Sequence, residues 1–402
     1  MSERAACIGE APIAPAATSR LVLLALLPIM AAVLIAFFTI GLALPVLPLH
    51  VRSGLGFGPF IIGLVAGSQS AASLLSRVWA GRTCDERGPK RAVVIGLGGA
   101  TLAGLLYLGS LPFTGQPVVA VTILVAGRAV LGGAESFVIT GATVWGLGRV
   151  GSQHAGKVIA WMGTAMFAAF AAGAPAGIAV YQRHGFLGVA GITAAAPLLT
   201  LLLVAPLRPV TLARHAGVSM LSVVRSIWLP GLGAALSSVG FGAILSFASL
   251  LYAERGWTPI WLAFTSYAVA LIVARVLFGH LPDKIGGAKV ALGCVVIEAA
   301  GLALIGLGSS AMLAAIGAAL TGFGYALVYP GLGVEAVRRA SAASRGLAMG
   351  AYTACLDIAL GVSGPVLGLV AAGAGLGAAF DVSAVIVLGA AVVAVGLLRR
   401  AT

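Results

Sequence analysis

The chain is 402 residues long, 60% hydrophobic and only 9% charged. Soluble domains carry about a quarter charged residues, so this composition excludes a water-soluble fold and makes the lipid bilayer the solvent. A net charge of +13 would suit a nucleic-acid binder, but the cations lie scattered between apolar runs and never gather into one patch, which excludes that class.

Residues 1–19 are rich in Ala and Pro and are expected to form a disordered cytoplasmic tail. The apolar run that follows, Leu21 to Leu49, is too long for a signal-peptide core and lacks a clear cleavage site, so it reads as a retained first span. Apolar runs of about 20 residues, the length that crosses a hydrocarbon core, are predicted near 21–48, 59–80, 92–111, 117–144, 157–180, 188–206, 229–252, 260–280, 288–308, 311–333, 346–371 and 378–398. Lipid offers the backbone no hydrogen bonds, so each run must be an α-helix. The expected fold is all-α integral membrane, with twelve transmembrane helices. The longest polar connection runs from Arg208 to Trp228. It divides the helices into a six-helix half at 20–207 and another at 229–402, with 208–228 as a cytoplasmic linker.

A repeat supports that division. Ser76-Arg77-Val78-Trp79-Ala80-Gly81 leads to Asp85 and Gly88, and Ala274-Arg275-Val276-Leu277-Phe278-Gly279 leads to Asp283 and Gly286; every anchor is displaced by 198 residues. Two homologous membrane halves are a common plan of secondary transporters. Cation placement then predicts orientation. With both termini cytoplasmic, 20 of the 24 Lys and Arg fall on inside segments, Arg77 and Arg275 among them. Arg52, Arg183 and Arg255 lie outside and Arg128 stays within a helix, an asymmetry that obeys the positive-inside rule.

These residues carry a family resemblance. Gly81-Arg82-Thr83-Cys84-Asp85-Glu86-Arg87-Gly88-Pro89-Lys90-Arg91 resembles motif A of the major facilitator superfamily, and Gly279-His280-Leu281-Pro282-Asp283-Lys284-Ile285-Gly286 is similar to the same motif in the second half. The first copy departs from the pattern, with Glu86 where a cation is usual and Pro89 in place of another; Arg87 can supply the missing charge. Arg128 followed by Gly132 resembles the motif B arginine, linked in proton-coupled members to proton transfer. Gly173, Pro175 and Gly177 partly resemble the exporter-associated motif C, and Gly361, Gly364, Pro365 and Gly368 match it more closely, 190 residues on. The stretches from Gly146 to Trp161 and from Tyr352 to Pro365 resemble the bacterial YhhS-type subgroup. The resemblance implies an inner-membrane carrier that works by alternating access, with a small-molecule substrate and protons as partners, the lipid bilayer as its medium, and a complete pathway in each monomer. It also implies that motif A is a gate latch: Asp85 and Asp283, with Arg87 and Lys284 nearby, make charge-assisted contacts in one conformation and lose them in another. Gly81 and Gly88 are expected to permit tight loop turns and close helix approach.

Three acids lie within apolar runs: Glu135, Glu298 and Asp357. Each costs about 2.5–3.5 kcal/mol to insert, so each is expected to face a cavity or a partner. A low-dielectric site disfavours a charged carboxylate, and a proton-coupled carrier needs a group that titrates once per cycle. Asp357, Gly361, Gly364 and Gly368 share one helix face, and the glycines allow close contact with a neighbouring helix. Arg128 and Glu135 also share a face, about 10 Å apart along the axis. Their side chains lean the same way, so a direct salt bridge is marginal and a water, a relay group or an anion could fill the gap. Arg128, Glu135, Asp357 and Glu298 are the candidate residues for proton coupling and the substrate cavity. Gln69 and Trp161 are read as packing residues that could reach a substrate.

Other readings are weaker. Cys7, Cys84, Cys294 and Cys355 show no paired spacing, so neither a disulfide framework nor a metal site is expected. Gly146-Leu147-Gly148-Arg149-Val150-Gly151 matches a dinucleotide fingerprint, but no strand precedes it and it falls in a predicted loop. No Walker lysine motif, nucleophile–base pair or histidine ligand pair occurs, so no cofactor, ATP-driven step or enzyme activity is expected. The leading expectation is proton-coupled export of a small organic molecule. The alternatives are proton-coupled uptake of a sugar or organic acid, and a non-transporting membrane sensor or scaffold.

Overall fold

The computed structural model describes residues 19–151, 155–210, 220–339 and 345–399. Its helices are α1 (Ser19–Ala43), α2 (Val46–Leu49, continued by a π-helical turn at His50–Gly54), α3 (Pro59–Arg87), α4 (Pro89–Ser110), α5 (Pro117–Val150), α6 (Ala155–Val204), α7 (Met220–Glu254), α8 (Leu262–Phe278), α9 (Leu281–Ile285), α10 (Gly287–Leu307), α11 (Ala311–Arg339), α12 (Arg345–Ala374) and α13 (Leu376–Arg399). No strand occurs among the described residues. Ten helices are long and apolar enough to cross a bilayer, and α8 is a shorter apolar one. The α6 run counts twice, because Gly185 leaves helical geometry (φ 61°, ψ −161°) and folds it into two spans. Twelve crossings result, and large apolar side chains such as Leu75, Leu202, Val276 and Val392 face outward, as a lipid-facing surface requires.

The breaks between spans follow from backbone chemistry. Pro59, Pro89 and Pro117 open α3, α4 and α5, where the missing N–H costs nothing. Gly88 (φ 88°), Gly151 (φ 87°) and Gly286 (φ 99°) close helices at the end of the bundle where Ser19 and Arg399 lie, called the terminal end below. Gly56, Gly185, Gly256 and Gly375 turn the chain at the opposite, distal end. Gly88 and Gly286 are repeat anchors, so the motif glycines hold a left-handed turn in both halves. Gly88→Ala is expected to cost about 1–3 kcal/mol, because φ 88° with ψ 151° is a region open almost only to glycine, read as a lower midpoint in a detergent melt; an unchanged midpoint would contradict the need for positive φ there.

The halves are pseudo-symmetric in their contacts. A Cβ on Gly132 of α5 would strike the Gln69 carbonyl of α3, and one on Gly322 of α11 would strike the Tyr267 carbonyl of α8. A Cβ on Gly141 would stand 2.9 Å from the Pro89 carbonyl, and one on Gly331 2.8 Å from that of Gly287. Each second-half residue is 190 or 198 positions beyond its counterpart. Backbone approach this close needs glycine. Between the halves, α3 packs on α12 and α6 on α8.

Three local expectations are corrected. The Gly81–Arg87 segment is not a loop: α3 continues through it to Arg87, because nothing in it breaks a helix before Gly88. Gly81 makes no turn and no close approach, since a Cβ there would meet open space. The Gly146–Val150 part of the dinucleotide-like match is likewise the last turn of α5, with Gly146 packed against Leu26 and Val158. Within the expected linker, residues 220–228 are helical, because α7 starts at Met220. Residues 1–18 of the expected tail, residues 211–219 of the linker and Arg400 lie outside the described residues.

Candidate functional site

Glycine brings α3 and α12 together along the distal half of their seam. A Cβ on Gly63 would strike the Gly364 carbonyl, one on Gly67 would strike that of Gly361, and one on Gly368 would lie 2.7 Å from that of Pro59. The Pro365 ring sits on the same face, 3.2 Å from a Cβ built on Gly67. Gly173 and Gly177 of α6 pack in the same manner on Gly41 and Leu42 of α1, on either side of Pro175. The α2 turn rests on α7. Near the terminal end, among the described residues, Arg149 donates to the Ala25 carbonyl, Lys90 to those of Ala205 and Leu207, and Tyr352 to that of Tyr329, each within one half.

Where the glycine seam ends, charge takes over. Arg77 of α3 donates through Nε to Oδ2 of Asp357 of α12, an ion pair that joins the two halves. Asp357 is buried, and the Arg77 side chain is 24% exposed. Thr265 of α8 makes a lighter crossing, donating to the Ala171 carbonyl of α6 at 3.2 Å.

A cavity of about 110 Å³ lies between the halves, lined by Gln69, Ser70, Arg128, Glu135, Phe170 and Phe241 among others. Gln69 Nε2 donates to Glu135 Oε2 at 2.6 Å. Arg128 is 4% exposed, and its Nε and Nη1 have no hydrogen-bond partner among the described residues. No ion pair joins Arg128 to Glu135 among the described residues. Gln69 is the hydrogen-bond partner that Glu135 has instead. A second, apolar recess of about 10 Å³ meets Arg128 from the side of Leu47, Val51 and Leu245. Burying such a donor without a partner costs about 1–3 kcal/mol.

The repeat offsets expose a chemical asymmetry. The counterparts of Gln69 and Glu135 are Tyr267 and Tyr325, whose rings lie 6.5 Å apart. Phe241, which lines the cavity, stacks on both at 5.3 and 5.6 Å. The first half therefore offers the cavity charge, and the second half offers aromatic surface. The seams differ in the same way. Arg77 and Asp357 correspond to Arg275 and Phe167, and the Arg275 guanidinium lies 4.8 Å over the Phe167 ring. One seam is held by an ion pair and the other by a cation–π contact.

The remaining candidates lie elsewhere. Glu298 is fully buried within the second half, where Ser237 donates to its Oε2 at 2.6 Å and Gly240 and Gly324 pack around it. It does not line the cavity. Asp85 and Arg87 sit exposed on the last turn of α3 without an ion pair among the described residues, and Lys284 is exposed on α9. Gly279 caps α8, and the side chain of Asp283 lies outside the described residues. Trp161 is partly exposed on α6, away from the cavity lining. A fourth acid, Asp381, lies within the twelfth predicted run and packs against Gly306 of α10. Sequence reasoning missed Arg77 as the partner of Asp357, and it undervalued Gln69. Part of the signal was available: the 198 and 190 offsets pair Gln69, Arg128, Glu135 and Asp357 with Tyr267, Ala318, Tyr325 and Phe167, residues of different chemistry, whereas Arg77 matches Arg275 and nothing in the repeat marks it.

The Major Facilitator Superfamily profile matches residues 29–264 and 230–402. The chain is 41% identical over 340 residues to the uncharacterized MFS-type transporter YhhS of Escherichia coli (strain K12), covering 85% of this chain and 84% of that protein. It is 42% identical over 353 residues to an uncharacterized MFS-type transporter of Burkholderia pseudomallei (strain 1106a), covering 87% and 86%. Among solved structures it resembles the nucleoside transporter NupG (TM-score 0.72, 14% identity, 93% of this chain and 99% of that one) and the human organic anion transporter MFSD10 (0.67, 17%, 92% and 98%). At those identities the likeness is one of fold.

Proposed function

The chain belongs to the major facilitator superfamily, and from that premise we propose a proton-coupled secondary transporter of the bacterial inner membrane that moves a small organic molecule by alternating access. The observation that carries this reading is the Arg77–Asp357 bridge between the halves, set beside a cavity that holds Arg128 and Glu135. While Asp357 is ionised, the bridge holds the distal seam closed, and the terminal end gives access to the cavity. A proton on Asp357 removes its charge and releases Arg77. The halves, at 20–207 and 229–402, then rock about the Arg275–Phe167 seam. Asp85, which makes no ion pair among the described residues, suits a motif A latch that engages in the opposite state. Glu135, oriented by Gln69, is the second proton site, and Arg128 tunes it or holds an anion. Both termini face the cytoplasm in this reading, and one chain contains the whole pathway.

Export in exchange for protons is the leading direction, supported by the motif C-like glycines that close α6 on α1 and α12 on α3. A specific observation favours a second reading, proton-coupled uptake of an organic acid: one cavity contains an unpartnered cation and an acid, so it can hold a carboxylate and a proton together. The test is substrate-induced proton movement in proteoliposomes carrying a pH-sensitive dye, screened across sugars, organic acids and common antibiotics. One class of compound is expected to change the lumenal pH, and the sign of the change separates exchange from co-transport. Glu135→Gln is expected to weaken that response roughly tenfold. Flux indifferent to an imposed pH gradient would sink the coupling, and no flux at all would leave a membrane sensor or scaffold.

A further inference from the structure

We propose that the central cavity selects a small organic anion, whose carboxylate or phosphonate docks on the Arg128 guanidinium and whose apolar part lies between Phe170 and Phe241. The inference deepens the carrier reading and depends on it only for the transport step. Arg128 lines both recesses, is nine-tenths buried, and has two nitrogens without a partner among the described residues. No acid makes an ion pair with it among the described residues, although Glu135 faces the same cavity. Glu135 accepts from Gln69, Asp357 is paired with Arg77, and Glu298 accepts from Ser237 deep in the second half. Tyr107 stands beside Arg128 and interacts with it, but a phenol hydroxyl is a hydrogen-bonding contact and not a carboxylate partner. A planar guanidinium matches carboxylate and phosphonate geometry, and in a water-poor site such a contact is strong.

The rest of the lining excludes the other substrate classes. A cation would meet Arg128 at like charge. A sugar needs hydrogen-bond partners all round, whereas the polar side chains here, Gln69, Ser70, Arg128, Glu135 and Ser246, share the wall with Ile40, Leu44, Met166, Phe170, Phe241 and Leu360. Phe170 belongs to α6 and Phe241 to α7, so an apolar body between them touches both halves and can report occupancy to each. The volume sets the scale: about 110 Å³ is below the roughly 150 Å³ that holds a benzene ring, so the anion is small and an aromatic one enters only as the halves part slightly around it.

The experiment is thermal unfolding of the purified full-length protein in detergent with benzoate, phenylphosphonate, benzamide or benzylamine at millimolar concentration. Benzoate and phenylphosphonate are expected to raise the midpoint, with apparent Kd at least roughly tenfold tighter than for the neutral amide or the amine. Arg128→Gln should erase that preference and Arg128→Lys should keep part of it. The inference is overturned if benzamide or benzylamine stabilises as well as benzoate, if Arg128→Gln retains the preference, or if none of the four stabilises the wild type. The wild-type series alone decides the matter should the variants fail to fold. Binding and transport fail separately. A carboxylate that binds but ignores a pH gradient contradicts the coupled carrier and leaves this inference intact. A cation or sugar carried with protons does the reverse.

Discussion

Asp357→Asn is expected to abolish pH-gradient-driven flux and to weaken closure of the distal seam. The carboxylate is buried and binds Arg77 of the other half, so its removal strands a cation at the seam. Breaking one partner of a fully buried pair costs about 3–5 kcal/mol. Arg77 is a quarter exposed and water screens part of that charge, so the cost falls to about 1–2 kcal/mol. A bias of that size moves a two-state equilibrium by a factor of roughly 5–30. The exchanged double variant, Arg77→Asp with Asp357→Arg, should restore closure, because attraction does not depend on which helix carries which sign. Restoration by the exchange separates an ion pair from two independent structural roles. Phe167→Ala, at the symmetry-related seam, should leave proton coupling in place and cost only the cation–π contact, about 0.5–2 kcal/mol in the melt.

Gly364→Val should drive the seam apart from the other direction. The Gly364 position meets Gly63 backbone to backbone, and a Cβ there would strike the Gly63 carbonyl. No flexible side chain is available to yield, so α3 and α12 must separate. Overpacking of this kind costs about 1–3 kcal/mol, paid only while the distal end is closed. The variant should therefore populate the distal-open arrangement and label faster at a cysteine placed beside Gly56. Gly350→Val, on the same helix where a Cβ meets open space, is the control and should label as the wild type does. Equal labelling of all three would mean that the seam is not a gate.

The spans were legible because the bilayer leaves the chain little choice: a segment that crosses must be apolar, helical and about 20 residues long. Insertion cost likewise made Arg128, Glu135 and Asp357 conspicuous before any contact was known. Pairing across helices was not legible. Arg77, near the inner end of the predicted run 59–80, looked like one more inside cation, since nothing local distinguishes an arginine at a span end from one that reaches a buried acid 280 residues away. Helix that runs on into water was also hidden. The Gly81–Arg87 and Met220–Trp228 segments are too polar, or too far from an apolar run, to be marked by hydropathy, yet both are helical. Glu298 carried the same insertion cost as Glu135, and only the packing of α10 inside its own half separates them. Asp381 escaped notice because it lies close to a helix end.

The most direct test of the account is the pH dependence of distal access. A single cysteine at the Gly56 turn, in a background without Cys7, Cys84, Cys294 and Cys355, would be labelled by a membrane-impermeant maleimide in proteoliposomes after brief equilibration at a series of pH values. The ion pair contributes to closure only while Asp357 is ionised, so closure is present above its titration and lost as pH falls through it. The account predicts distal labelling that rises on acidification in the wild type and is high at every pH in Asp357→Asn. Labelling that ignores pH, or that Asp357→Asn leaves unchanged, would contradict it.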